Sequence, residues 1–404
     1  MHDPTLMSIR FASRLDHVET SAIRELFKLV GKPGIISFAG GFPDSALFDV
    51  DGIRDAVNAA LATEPGAALQ YGATEGYGPL REQLAAFMAA KGAASVAPEQ
   101  LIVTTGSQQA LDLIGKTLVS PGDKVIVEGP TFLATIQCFR LYGAELVSAP
   151  IDGEGVQTDA LERLIAEHRP KFVYLIPSFG NPSGAMLSAE RRRAVLEMAV
   201  RHDTLIVEDD PYGELYFDAP PPPSLLALSA EVPGSRERLV YCGSLSKVLS
   251  PGLRVGWMIA PAVLLAKAVM CKQFSDAHTS TFAQATAAQY LAAGRMPETL
   301  ARVRKVYAER AQAMTAALQR ELGDALAFVP PRGGLFVWAR LTGAGGAPTD
   351  GEAFARRAIE RGVAFVPGAP FYASNPDRAT LRLSFATAGV ERIVEGVQRL
   401  KAAL

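Results

Sequence analysis

Short, continuously apolar runs separated by helical patterns constrain this chain most. They read "LIVTT" (101–105), "KVIVEGP" (124–130), "KFVYLIPS" (171–178), "TLIVEDDPY" (204–212), "RLVYCGS" (238–244) and "GWMIA" (256–260). A strand that is apolar at every position is covered on both faces, and such strands belong to mostly parallel sheets sandwiched between helices. The intervening segments agree. In "GSQQALDLIGKTLV" Leu111, Ile114 and Leu118 recur at helical spacing, and Ser188 is placed to cap a helix whose apolar stripe holds Ala194, Val195 and Met198. Ligands of an open α/β sheet sit beyond the carboxyl ends of its strands, so the residues that follow each apolar run deserve the closest reading.

The texture changes near residue 295. A long charged helical pattern, "MPETLARVRKVYAERAQAMTAALQREL", leads to three strand-like runs at 333–341, 362–368 and 379–386. We read 1–45 as an arm plus part of a small domain, 46–295 as a large domain, and 296–404 as the rest of a smaller α+β domain. Net charge is −2 with no dense basic tract, which argues against nucleic acid or a membrane surface as partner. The "RRR" at 191–193 reads as a solvated helix face. Three widely spaced cysteines suggest neither a disulfide framework nor a metal site, and a start without an apolar core suggests a cytoplasmic protein.

The strand ends carry a distinctive set of polar side chains. Gly106-Ser107-Gln108 turns from a strand into a helix, whose free N–H groups suit an anion. Asn181 follows the third run, Asp209 and Tyr212 lie near the end of the fourth, and Ser244 closes the fifth, with Ser246, Lys247 and Arg254 after it. Each has an ordinary alternative. Glycine–serine turns cap many helices, Asn-Pro starts turns, an aspartate can cap one, and most lysines keep a solvated head. Lys247 stands apart because it comes directly after an apolar strand, among hydroxyl and guanidinium donors.

Taken in order, "GSQQALDL", "NPSG", "EDDPYGEL" and "SLSKVLSPGLRVGW" resemble the class I/II aminotransferases, which use pyridoxal 5′-phosphate (PLP) and share fold type I. "SAIRELFKLVGKPGIISFAGGFPDSALF" makes the chain similar to the 2-aminoadipate and kynurenine aminotransferase-like branch. The resemblance implies a mostly parallel seven-stranded sheet in a large domain, with a smaller α+β domain beside it. It implies that Lys247 is both the covalent anchor of the cofactor aldehyde and the acid/base of the proton shift, and that Asp209 faces the pyridine nitrogen. It places Asn181 and Tyr212 on the ring's phenolic oxygen and the aromatic ring of Phe132 against the pyridine. Ser107, Gln108, Ser244, Ser246 and Arg254 would hold the phosphate, with Tyr71 reaching the phosphate of a neighbouring subunit in a homodimer. Arg382 matches the arginine that clamps the substrate's α-carboxylate; a structural salt bridge is the alternative. Arg24 and Gly40 match positions near the substrate.

The chemistry is consistent with these roles. Only a neutral amine attacks an aldehyde, and burial among cations favours that form. A carboxylate beside a pyridine nitrogen favours its protonated, electron-accepting state. The expected activity is transfer of the α-amino group of an L-amino acid (2-aminoadipate, aromatic or branched aliphatic) to 2-oxoglutarate or pyruvate by a ping-pong route. A PLP-dependent lyase or decarboxylase on the same scaffold is one alternative, and an aminotransferase-like ligand-sensing regulator is another.

Overall fold

The computed structural model describes residues 11–15, 34–346 and 348–404. Its strands in chain order are β1 (Ile36–Ser37), β2 (Leu101–Thr104), β3 (Lys124–Gly129), β4 (Glu145–Asp152), β5 (Gly155–Val156), β6 (Phe172–Leu175), β7 (Leu205–Asp210), β8 (Leu239–Ser244), β9 (Gly256–Ile259), β10 (Leu326–Phe328), β11 (Phe336–Leu341), β12 (Val363–Ala364), β13 (Val366–Pro367) and β14 (Thr380–Ser384). The large sheet has the order β2-β9-β8-β7-β6-β3-β4-β5. The four central strands β3, β6, β7 and β8 run parallel, and β4 joins them in parallel at β3. Every residue of β2, β6, β8 and β9 is buried, which is why these runs show no polar alternation.

Two details go beyond the seven expected strands. β5, two residues long, folds back antiparallel on β4 as an eighth strand. β9 runs antiparallel to both β8 and β2, so β2 points the same way as β8. The carboxyl ends of β2, β8, β7, β6 and β3 therefore lie along one edge, together with the amino end of β9. That edge receives the segments starting at Gly106, Asn181 and Ser244, and also Arg254.

The small sheet, β10-β11-β14-β13, is antiparallel throughout. Helix Met296–Leu322 leads into it and buries Leu300, Val303, Tyr307, Ala311, Met314 and Leu318, a three-to-four-residue rhythm that leaves the charged residues outside. β1 pairs in parallel with β12, and Ser384 N–H donates to the Phe38 carbonyl at 2.8 Å. The arm thus lies against β14, which carries Arg382. It is pinned from the helix as well: Asp44 accepts from Arg310 at 2.8 Å, and its N–H donates to the Tyr307 hydroxyl at 3.1 Å.

The arginine run at 191–193 is not a uniform solvated face. Ser188 caps helix Ala189–Arg201 as expected. Arg191 and Arg193 form surface pairs with Asp152 and Glu231, but Arg192 is fully buried. Arg192 donates to the carbonyls of Leu187 and Pro177 and to the Ser178 hydroxyl, at 2.8–2.9 Å. Those acceptors come from the chain that leaves β6, so this arginine braces the segment that presents Asn181.

Candidate active site

A cavity of about 450 Å³ opens at the shared strand edge, within the range of small-molecule sites. Asp209, Tyr212, Asn181 and Lys247 line it, as do Ser107, Gln108, Phe132, Ser244, Ser246, Arg254 and Arg382. The sequence motifs therefore converge in space, because four of them follow strands that point the same way.

Asp209 is the next-to-last residue of β7 and is buried. Its Oδ2 accepts from the Tyr174 hydroxyl at 2.6 Å, while Oδ1 has no hydrogen-bond partner among the described residues. Burial pushes this carboxyl up to about 7; the Tyr174 hydrogen bond pulls it down, and Asp210 next door pushes it up. A buried oxygen without a donor is costly unless a ligand supplies one. A protonated pyridine nitrogen is such a donor, and the orphaned oxygen fits it.

Lys247 leaves β8 three residues after its last strand position. It is half-buried because its cavity opens to solvent, yet protein crowds its amine. Burial lowers the amine to about 8, and the nearby charges of Arg382 and Arg254 add to the effect. Its Nζ donates to the carbonyl of Gly41 at 2.8 Å. That contact was not legible in sequence, since a backbone carbonyl has no side-chain signature. Gly41, rather than the expected Gly40, lines the cavity; Gly40 is buried behind it, where a Cβ would lie 2.8 Å from the Phe42 ring.

The anion cradle is built by close backbone packing. Gly106 has φ +77, and a Cβ there would meet Arg254 Nη2 at 2.6 Å. A Cβ on Gly256 would meet Gly106 C at 2.6 Å, so both positions need glycine. Helix Ser107–Leu118 begins there with no side-chain cap, which leaves its first N–H groups directed at the cavity where Ser107 and Gln108 lie. Arg254 Nη2 donates to the Thr105 carbonyl at 3.0 Å and closes the other side.

A second lysine supports the cradle from behind. The segment 272–282 is less of a loop than its composition suggests, because helix Ala262–Ser275 runs through its first residues and Ser280 caps the next helix. Lys272 is fully buried and donates to Gln109, Asp276 and Thr279 at 2.7–3.0 Å. Gln109 in turn accepts from Thr105 N–H at 2.8 Å.

Arg382 sits at the cavity's far side on β14, buried between the Phe336 and Phe371 rings at 4.2 and 4.9 Å. Nη1 donates to Asn181 Oδ1 at 2.7 Å and Nη2 to the Ala39 carbonyl at 2.9 Å, while Nε has no partner among the described residues. No carboxylate of the described residues pairs with it. Tyr212 lies near Asn181 with its phenol pushed up by burial; the Arg382 charge opposes that shift.

Besides Gly40, Tyr71 does not line this cavity. Tyr71 is 85% exposed and stacks edge-on against His278 at 5.8 Å, outside the cavity of its own chain. Arg24 lies outside the described residues.

The chain matches the family model described as aminotransferase class I and II over residues 35–400. It is 44% identical, over 99% of its own length and 98% of the relative's, to a 2-aminoadipate transaminase of Thermus thermophilus. It is 38% identical to an aromatic-amino-acid aminotransferase of Thermococcus litoralis, covering 96% of this chain and 93% of that one. Among solved structures it superimposes with a TM-score of 0.89 on the α-aminoadipate aminotransferase of Thermus thermophilus complexed with N-(5′-phosphopyridoxyl)-L-leucine, at 43% identity over 98% of this chain and 97% of that one.

Proposed function

The chain belongs to the class I and II aminotransferases and works with PLP, and from that premise we propose which residues carry the reaction and which substrates they admit. The observation that carries the reading is the opposition, across one cavity, of a lysine amine lowered to about 8 and a buried aspartate with a free Oδ1. When bound, PLP supplies the aldehyde that Lys247 attacks and the electron sink that makes a substrate's α-proton acidic.

The chain's own residues do the rest. Asp209 Oδ1 would accept from the ring nitrogen and so keep its proton in place. Ser107, Gln108, Ser244, Ser246 and Arg254 take the phosphate, with the arginine contributing more than the helix end: a charge-assisted contact is worth about 1.5–3 kcal/mol against about 0.3–1 for the dipole. Phe132 would cover the ring face, while Asn181 and Tyr212 would serve its phenolic oxygen. Arg382 takes the α-carboxylate in its planar fork, already oriented by two aromatic rings and by Asn181. With the carboxylate fixed, the Lys247 amine would be placed to accept the α-proton and to return it to the carbon two atoms along. Two half-reactions through one site give ping-pong kinetics.

The donors we propose are 2-aminoadipate and aromatic or branched aliphatic L-amino acids, with 2-oxoglutarate or pyruvate as acceptor. The named activities of the relatives support the first two, and apolar Phe42, Leu133 and Phe371 beside the cavity suit a long or aromatic side chain. A lyase, a decarboxylase or a ligand-sensing regulator is not favoured, since relatives matched over nearly their whole length are transaminases. A homodimer is part of the proposal. Tyr71, Leu69, Val263 and Phe274 are each more than 70% exposed, and a partner subunit that covers them would receive Tyr71 at its own phosphate. The three cysteines are free, in keeping with a reducing, cytoplasmic setting. A panel of amino donors against 2-oxoglutarate and pyruvate, with products identified by mass, tests the substrate class. Failure of every α-amino acid to form an oxo acid would refute it.

A further inference from the structure

Tyr174 is the third residue of β6, is fully buried, and lines no part of the cavity. In the register of β6 with β7 it lies opposite Val207, and Asp209 is two residues further along the same face. Its hydroxyl spans that diagonal and donates to Asp209 Oδ2 at 2.6 Å; burial and the Asp209 charge outweigh the Thr135 hydroxyl, which favours the phenol's ionised form. We propose that Tyr174 is a positioning residue: its phenol occupies Oδ2 as an obligate donor, keeps Asp209 an acceptor, and so secures the proton on the cofactor's ring nitrogen. This rests on the reading that Asp209 Oδ1 faces that nitrogen.

A carboxyl as buried as this one would otherwise hold its own proton near neutral pH. It would then present an acidic O–H to the ring, and a pyridine that only accepts a hydrogen bond is a poor electron sink. Asp209's titratable neighbours are few. Asp210 follows it on β7 and disfavours its charge, Cys242 lies opposite it on β8, and Tyr212 stands at the end of the same segment. Of the groups acting on it, Tyr174 is the one that favours the ionised form. Burial and the Asp209 charge hold the Tyr174 phenol well above its ordinary range, so it stays a donor at every working pH. One oxygen is then permanently satisfied, and the other is left for the ring.

The alternative is a tyrosine that merely satisfies a buried carboxylate, and the test separates the two. Apoenzyme is reconstituted with PLP labelled with ¹⁵N in the ring, and the nitrogen resonance is followed from pH 6 to 9. In wild-type protein it should stay at the protonated position throughout. In Tyr174→Phe it should titrate within this range, its midpoint lowered by roughly one to two pH units, as expected when a hydrogen bond to the charged partner is lost. Tyr174→Met, which also lacks a donor, carries the same expectation should the Phe variant fail to fold. If the donorless variant folds and binds PLP while its resonance superimposes on the wild type, Tyr174 has only a structural role. If the wild-type nitrogen is itself unprotonated, the placement of Asp209 falls first and this inference with it.

Discussion

Asp209 and Asp210 stand side by side on β7, both buried, yet the structure treats them in opposite ways. Asp210 points to the back of the strand, where Lys91 and the Tyr241 hydroxyl donate to Oδ2 at 2.8 and 2.9 Å and Gly213 N–H donates to Oδ1 at 2.9 Å. Burial alone would raise this carboxyl, but Lys91 and Tyr241 bring it below its ordinary value. Asp209 points to the front with one oxygen unpartnered, and sits near 7. The same contrast separates the other charged residues. Burial would lower Lys91, but Asp210 and Glu214 raise it; Lys247 has no carboxylate partner among the described residues and drops to about 8. Arg192 is held by carbonyls and a hydroxyl, while Arg382 Nε has no partner among the described residues. The back of the sheet uses charges to close a structure. The front leaves them incomplete, because a ligand is to complete them.

The comparison breaks or sharpens most clearly at the two lysines. Lys247→Ala should lower kcat by at least about 10²–10⁴-fold from lost acid–base catalysis alone, and borohydride reduction with peptide mapping should find no cofactor on the chain. Its apoenzyme should unfold at the same urea concentration as wild type, or a higher one. Lys91→Ala should do the reverse. Breaking a buried pair costs about 3–5 kcal/mol, read as a lower urea midpoint, while the folded fraction turns over within a few-fold of wild type. A Lys91→Ala protein that is stable and inactive would overturn the division between front and back.

The aspartates and arginines give smaller effects in the same pattern. Asp209→Asn removes the anion beside the ring nitrogen and should lower kcat by about two to three orders of magnitude with little change in stability. Asp210→Asn should lower stability by about 1–3 kcal/mol and leave the KM for the amino donor unchanged. Arg382→Lys keeps the charge but loses the planar fork; about 1.5–3 kcal/mol lost at the carboxylate predicts a KM some 10–100-fold higher. Arg192→Lys should instead lower the thermal midpoint, because one ammonium cannot reach all of its acceptors. Steady-state kinetics paired with urea or thermal melts distinguishes each pair.

Much of this was legible before the structure, and the exceptions have physical causes. The apolar runs gave the central strands, because a strand buried on both faces needs no polar position. The same property hid Tyr174, since a tyrosine inside "KFVYLIPS" looks like its neighbours and no alternation says which face it occupies. Arg192 was misread because a charge run is usually solvated; its burial depends on acceptors at Leu187, Pro177 and Ser178, which only the fold brings within reach. The reversed direction of β9 left no trace in composition. Gly41 enters the site through its carbonyl, which has no side-chain signature. Most of the expected residues that line the cavity have side chains at or just after a strand end. Those missed act through backbone atoms or through another element.

The finest prediction concerns the form in which Lys247 waits. Its amine lies near 8 rather than 10.5, chiefly through burial and then through Arg382 and Arg254. At pH 7 about a tenth of it is then neutral, against about one part in three thousand at the unperturbed value. Because the neutral amine is the nucleophile, the association rate of PLP with apoenzyme should rise with pH with a midpoint near 8 and level off above it; a midpoint near 10.5 would contradict the burial argument. Arg254→Met should move the midpoint upward by less than a unit, since burial remains. Stability should carry the same signature with a defined sign. The folded state resists protonation of Lys247, so the unfolded chain binds more protons between pH 8 and 10.5, and this group's contribution to stability must rise across that window. Lys91, held above its ordinary value by Asp210 and Glu214, contributes in the opposite sense and loses its stabilising contribution as pH rises beyond 10.5. Comparing the alkaline limbs of Lys247→Met and Lys91→Met apoenzymes therefore reads front and back of the sheet in one titration.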